Sequence, residues 1–256
     1  MKPDTRPAAD PSGAQNAPQI RSESAGAFMH GGNRYCIERI RFLGPPARHD
    51  YIRIGIFAGI HGDEPSGTAA VRIFLNSLIK EPVRATGYEL FAYPEVNPVG
   101  LERGTRGNCS GIDLNRDFWR SSREPEIGII ERELRENGFN GLIALHADDS
   151  CAGTYGYSHG NVVEDSLLRP ALLAAERVLP RDPRPSIDGF HAHEGIITDC
   201  FQGILAPPPE QHPRPFNLIF ETPAHVALNI QVAAHVAALD AILATYRGYM
   251  SYAQDL

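Results

Sequence analysis

Four short runs of apolar, β-branched and aromatic residues, at 51–58, 88–93, 141–145 and 217–220, constrain this chain more than any other feature. Each is nearly unbroken and too short for an ordinary helix, the pattern of a strand buried on both faces. After the first run Ala69, Val71, Phe74, Leu75 and Leu78 recur at helical spacing, which predicts a helix over 65–80. Further helices are predicted over 126–137, 166–179 and 224–249. Strands alternating with helices give an α/β class: a single domain with a mixed, mostly parallel sheet flanked by helices. Ahead of it Ile37, Ile40 and Phe42 form an extended stretch ending in Gly-Pro-Pro at 44–46, which reads as a first hairpin before the main sheet.

With 256 residues, 42% of them hydrophobic, the chain is long enough for one sizeable core. Residues 1–24 are rich in Pro, Ala, Ser, Gln and Asn and read as a disordered tail, leaving 25–256 as the catalytic domain. A formal net charge of -7 argues against nucleic acid or an anionic membrane as partner and favours a small solute. The N-terminus shows no secretory pattern and no run approaches the ~20 apolar residues of a membrane span, so a cytoplasmic location is expected. Cys36, Cys109, Cys151 and Cys200 are widely spread and read as reduced thiols.

Polar residues follow the runs in a consistent way. His61-Gly-Asp-Glu64 follows the first, Glu95 to Asn97 the second, His146 the third and Glu221 the fourth. In open α/β sheets the ligand crevice lies beyond the carboxyl ends of the strands, so these residues share one edge. Two ligands three residues apart and a third from a distant strand suit a catalytic zinc, with His61, Glu64 and His146 holding one ion. Such an ion lowers the pKa of its water and polarises a carbonyl. Glu221, at the end of a buried strand, is the candidate general base and acid. The plainer readings are that Glu64 caps a helix, that His146 is a core histidine and that Glu221 merely closes a strand. In the middle of the chain, Asn115 and Arg116 could clamp a carboxylate, and a second arginine could stabilise an oxyanion. The plainer reading there is a solvated basic loop.

Asn-Pro-Val-Gly at 97–100 and Gly-Ile-Asp-Leu-Asn-Arg-Asp-Phe at 111–118, with His61-x-x-Glu64, His146 and Phe220-Glu221, resemble the zinc carboxypeptidases of the carboxypeptidase A type. The string Gly-Thr-Arg-Gly-Asn-Cys-Ser-Gly-Ile-Asp-Leu-Asn-Arg most resembles the bacterial murein-peptide amidase branch, and the aspartoacylase and succinylglutamate desuccinylase branch shares the fold and ligands. The resemblance covers about residues 50–225. It implies His61, Glu64 and His146 as zinc ligands, Glu221 as general base, Asp113 as the acceptor orienting His61, and Asn115 and Arg116 as binders of a terminal carboxylate. Arg106 matches the oxyanion-stabilising arginine, with Arg103 as competitor. The implied activity is hydrolysis of an amide next to a free C-terminal carboxylate in a peptide; the alternative is deacylation of an N-acyl amino acid. One departure stands out: digestive members place a tyrosine some 20 residues before the catalytic glutamate, where this chain has Phe201 and no tyrosine from 158 to 221. Tyr155 or Tyr157 could compensate. Asp148 and Asp149 could meet a substrate ammonium or cap a turn.

Other signals compete. Gly156-Tyr-Ser158-His-Gly160 matches the serine nucleophile elbow, with Asp188 and His212 or His225 following in the order of a serine triad. The preceding residues are too small and polar for the strand an elbow requires. His191-Ala-His193-Glu194 would put two rings on one face if it were a strand, but Pro183, Pro185 and Gly189 favour a loop. A binding module that kept the fold without the chemistry is the remaining alternative.

Overall fold

The four apolar runs become four neighbouring parallel strands. The computed structural model describes residues 18–48, 50–158 and 162–254. In it β3 (Ile52–Phe57), β4 (Tyr88–Tyr93), β5 (Gly141–Asp148) and β10 (Phe216–Pro223) lie in the order β4-β3-β5-β10. The β3 to β4 crossover is made by α1 (Pro65–Lys80), and β5 then takes the opposite flank of β3. The direction of winding therefore reverses between β3 and β5, and a crevice opens at their carboxyl ends.

Antiparallel strands extend both margins. On one side β1 (Gln19–His30) and β2 (Asn33–Leu43) form a hairpin whose turn residues Gly31 and Gly32 both have positive φ, a backbone that glycine adopts without strain. The hairpin is not separate from the main sheet, because β2 pairs antiparallel with β4. Residues 19–24, expected in the tail, belong to β1; the rest of that expectation, up to residue 17, lies outside the described residues. On the other side β6 (Tyr155–Tyr157) pairs antiparallel with β10, and β9 (Ile196–Ile197), β8 (Phe190–His193) and β7 (Ser186–Ile187) follow. The sheet is thus mixed as expected, with its parallel pairing concentrated at the centre. His191 and His193 fall on strand β8 rather than on a loop.

One face of the sheet is covered by α1, α4 (Val162–Ala175) and α5 (Leu228–Gln254), which share a core with Ile54, Ile56, Leu90, Ile143 and Phe220. Ala70, Val71, Phe74, Leu75 and Leu78 line the buried stripe of α1, and each large apolar side chain there contributes about 1.5–3 kcal/mol relative to exposure. The other face carries α3 (Pro125–Asn137), with Ile127, Ile130 and Leu134 packed toward Phe57, Leu142 and Ala144. By length and composition Leu228–Tyr252 passes as a membrane span, contrary to the expectation that no run would; part of its surface is buried against α1, α4 and β10.

Two glycines bring the loop after β3 against the short helix α2 (Pro98–Arg103). Gly62 donates its N–H to the Thr105 carbonyl at 3.0 Å, and a Cβ on Gly62 would lie 1.9 Å from the Gly100 carbonyl carbon. Backbone cannot yield as a side-chain tip can. Gly62→Ala is expected to cost about 2 kcal/mol and lower Tm by roughly 4–8 °C in a thermal melt.

Candidate metal centre and substrate cavity

His61 and Glu64 occupy the loop between β3 and α1, and Pro65 at the first helical position fixes where that loop stops. Glu64 sits at the N-cap position but makes no side-chain cap. Its carboxylate turns inward: Oε1 lies 2.6 Å from His61 Nδ1, and Oε2 lies 2.8 Å from His146 Nδ1 and accepts the Ala147 N–H at 3.0 Å. The two Nδ1 atoms are 3.2 Å apart. His61, Glu64 and His146 are all buried and offer ligand atoms within 4.8 Å of one another, the one such group of three among the described residues. Two imidazole nitrogens and a carboxylate oxygen aimed at a common point are a donor set that fits a zinc ion with an open position.

Charges around this group are strongly shifted. Burial alone would raise the Glu64 carboxyl, but His146 and His61 hold it far below the usual range. Burial opposes protonation of His61, yet hydrogen bonds to Asp113 and Glu64 raise its pKa. In His146 burial outweighs Glu64 and the pKa falls.

The segment carrying Asp113, Asn115 and Arg116 folds as a single 3-10 turn, Leu114–Arg116, capped by Asp113, whose Oδ1 accepts the Asn115 N–H at 2.9 Å. The same oxygen lies 3.0 Å from His61 Nε2, and Oδ2 accepts from Arg106 Nε at 3.1 Å. Asp113 thus orients both the ring and the arginine, the kind of outer support that keeps a ligand's geometry. Burial would raise its carboxyl, but His61, Arg106 and Arg116 hold it far below the ordinary range. Arg106 also reaches Glu64 Oε1 at 3.4 Å, whereas Arg103 lies outside the cavity with its guanidinium 2.9 Å from His30 Nε2. Asn115 accepts the Leu205 N–H at 2.9 Å, and its Nδ2 lies 3.4 Å from His146 Nε2.

Strand register brings in Glu221. It is the Cα partner of His146 across β5/β10 and of Tyr155 across β10/β6, so the three side chains form a row on one face of the sheet. Burial, and then the charges of Glu64 and Asp148, push the Glu221 carboxyl well above its usual pKa, with Arg106 opposing.

His61, Glu64, Arg106, Asn115, Arg116 and Glu221 line a cavity of about 560 Å³, with His146 just behind its wall against Glu64. Asp148, Asp149, Asp188, Tyr155, Tyr157 and Phe201 complete much of its wall. Both tyrosine hydroxyls are engaged, Tyr155 donating to Asp148 at 3.1 Å and Tyr157 to Asp188 at 3.0 Å. Asp148 also caps the next turn by accepting from the Ser150 N–H and hydroxyl, both at 2.8 Å. Phe201 stacks on Arg116, whose guanidinium carbon is 3.9 Å from the ring centroid. Neither the Phe201 stack nor the presence of Asp188 in the cavity was anticipated. The available signal for Asp188 was Asp-Gly at 188–189, a hairpin turn in which both residues have positive φ and which tips the aspartate off the end of β7.

The competing signals do not assemble. Ser158 is buried and its hydroxyl donates to Asp165, while Asp188 accepts from Tyr157 and His212 and His225 are exposed; His159 and Gly160 of that motif lie outside the described residues. His191 and His193 join no group of three metal-binding side chains among the described residues.

Comparison with known proteins agrees with this geometry. The family profile described as the succinylglutamate desuccinylase/aspartoacylase catalytic domain matches residues 50–137. Carboxypeptidase D of Mus musculus is 32% identical over 124 residues, which are 41% of this chain and 9% of that protein, so the chain spans only a small part of the length of that relative. A candidate metallopeptidase from Shewanella denitrificans superposes with a TM-score of 0.72 at 20% identity, covering 88% of this chain and 83% of the other. A metallo-carboxypeptidase from Burkholderia cenocepacia gives 0.70 at 16% identity, covering 93% of this chain and 67% of that one. The chain thus shares the fold of these metallopeptidase structures, is similar to the desuccinylase/aspartoacylase catalytic domain from β3 to α3, and carries a His-Glu-His group at the carboxyl ends of its parallel strands.

Proposed function

We propose that the protein is a zinc-dependent metallocarboxypeptidase that hydrolyses the amide bond beside a free C-terminal carboxylate in a peptide. The observation that carries this reading is the meeting of the His61-Glu64-His146 group with a cavity that His61 and Glu64 line together with Glu221, Arg106 and Arg116. His61, Glu64 and His146 would hold one zinc ion, which when bound supplies Lewis acidity toward a carbonyl and a water. Glu221 takes a proton from the attacking water at its carboxylate and returns it to the leaving amine, a cycle suited to a carboxylate of raised proton affinity. Arg106 donates to the oxygen that gains charge, an interaction for which one lost donor costs about 10²- to 10³-fold. Arg116, steadied by Phe201, donates to the substrate's free carboxylate, and the Asn115 amide adds a donor from the same turn.

The remaining wall supports the peptide over an acylated amino acid. Asp148, Asp149 and Asp188 add negative charge to the wall that also carries Arg106 and Arg116, which disfavours a substrate bearing a second carboxylate and suits one with a cationic group. N-acyl amino acid deacylation is the second reading, and the profile match over residues 50–137 is what favours it.

Assays of short peptides, cell-wall peptides ending in a diamino acid and N-acyl amino acids separate the two readings. Glu221→Ala is expected to keep zinc and lose roughly 10²- to 10⁴-fold in kcat, and near-normal activity would refute the mechanism. His146→Ala is expected to lose zinc and turnover together. Arg116→Ala should raise KM roughly 10- to 100-fold, read from initial rates.

Stability gives an independent readout of Glu221. A carboxyl whose folded pKa is raised binds more protons folded than unfolded, so its contribution falls as pH rises from the unfolded value near 4.3 through the folded one. In chelator-treated protein Glu221→Gln should therefore raise Tm relative to wild type at neutral pH, and the difference should shrink as pH falls toward about 4. Melts at a series of pH values check the slope; a pH-independent difference would show that the carboxyl is not shifted.

A further inference from the structure

Behind the centre, on the far side of the sheet, α5 buries a histidine on a mostly apolar stripe. His235 is completely buried beside Phe220, and its Nδ1 has no hydrogen-bond partner among the described residues. Burial pushes its pKa down to about 3, so the ring is neutral. Leaving a buried polar atom unpaired costs about 1–3 kcal/mol, and an aliphatic side chain would fill the same space without that cost. Packing therefore does not account for the imidazole. Its other nitrogen does: Nε2 lies 3.3 Å from the Ser66 hydroxyl and 3.2 Å from the Thr222 hydroxyl.

Those two hydroxyls belong to the segments that carry the chemistry. Ser66 is in the first turn of α1, two residues past Glu64, and Thr222 follows Glu221 on β10. The Thr222 hydroxyl also lies 3.4 Å from the backbone carbonyl of His146 and 3.2 Å from Gln231 Oε1. Gln231, one helical turn before His235, uses its amide to hold the carbonyls of Ala224 and Val226 at 3.2 and 2.6 Å, fixing the chain as it leaves β10. One side chain on α5 thus touches the start of α1 and the end of β10, and reaches the end of β5 through Thr222.

We propose that His235 is a positioning residue that, through Ser66 and Thr222, sets the placement of Glu64, His146 and Glu221 relative to one another. The part concerning Glu221 rests on the function proposed above; the part concerning Glu64 and His146 needs only that the group binds zinc.

The test compares His235→Leu, which removes the nitrogen, with His235→Gln, whose amide reaches the position of Nε2, and with Thr222→Val. Zinc affinity is measured by competition with a chromophoric chelator, kcat and KM at saturating zinc, and Tm in chelator. His235→Leu should bind zinc roughly 10- to 100-fold more weakly and lose kcat at saturating zinc with KM within about twofold of wild type, while Tm does not fall. His235→Gln should restore most of the zinc affinity, and Thr222→Val should weaken it without adding fully to His235→Leu. Unchanged zinc affinity and kcat in His235→Leu would overturn the proposal, as would equal losses in the Leu and Gln variants that track the fraction unfolded. Should His235→Leu not fold, Thr222→Val with a stable Tm decides by the same measurements. Wild type that binds zinc but cleaves none of the substrates would remove the proposed activity, and the zinc affinities would still decide the positioning role.

Discussion

Burying an ionised carboxylate costs several kcal/mol unless donors and opposite charge surround it, and Glu64 is surrounded. Two imidazoles, the Ala147 N–H and the Arg106 guanidinium all converge on its two oxygens. Those four partners come from three segments: the loop after β3, the end of β5, which supplies both His146 and Ala147, and the loop leading to Asp113. The carboxylate therefore organises the site as well as offering an oxygen to a metal ion. With Arg106 and Asp113 it forms a chain of alternating charge in which each member steadies the next, so changes at Asp113 are felt at His61 and at Arg106 together. A partly satisfied buried network is costly, which ties the geometry of the centre to the integrity of all three segments.

The fold supplies these segments at the right place for a topological reason. Because β4 lies on one flank of β3 and β5 on the other, the loops leaving β3 and β5 diverge to opposite sides and leave a gap between them. His61 and His146 stand on the two banks of that gap. The next strand, β10, runs parallel to β5 in a register that places Glu221 beside His146. A slip of one residue would turn Glu221 to the opposite face, into the apolar layer shared by Phe220 and α5, so register is fixed by burial on both faces.

The same burial explains what could be read from the sequence. The central strands and α1 were legible because their side chains are apolar on every face that meets protein: α1 is observed at Pro65–Lys80 and β4 at Tyr88–Tyr93, both as the pattern indicates. The His-x-x-Glu, Asp-Leu-Asn-Arg and Phe-Glu strings were legible because they sit at strand ends and turns, where spacing in sequence maps directly onto placement in space. The margins were not. Strand β1 has long exposed stretches and polar residues such as Ser22, Glu23 and Ser24, and owes its form to pairing with β2 rather than to any pattern of its own. Strands β7 and β9 have two residues each, too few to show a period. Helix α4 begins at Val162, ahead of its apolar stripe, and gives way to a turn before residue 179, where the apolar residues continue without the helix. Phe201 and His235 act through contacts with segments distant in sequence, and no local pattern marks such a role.

Phe201 shows how a departure from a familiar pattern can be physically coherent. A tyrosine near this position would offer a hydroxyl, which phenylalanine lacks, but the ring offers a face. Arg116 lies on that face at 3.9 Å and donates one N–H to the Asn115 carbonyl at 2.8 Å, so its plane is held from the side and from behind. A guanidinium held this way loses less freedom on meeting a planar carboxylate, because its fork is already oriented. Phe190 packs edge-on against Phe201 at 4.8 Å between centroids and Tyr157 packs edge-on against Phe190 at 6.2 Å, which carries the support back to the sheet through β8 and β6. The antiparallel margin that the sequence concealed is therefore the wall that steadies the arginine. Its polar side presents Asp188 and the Tyr157 hydroxyl to the same cavity, so one small addition to the sheet sets both the rigidity of Arg116 and part of the negative charge in the wall it shares.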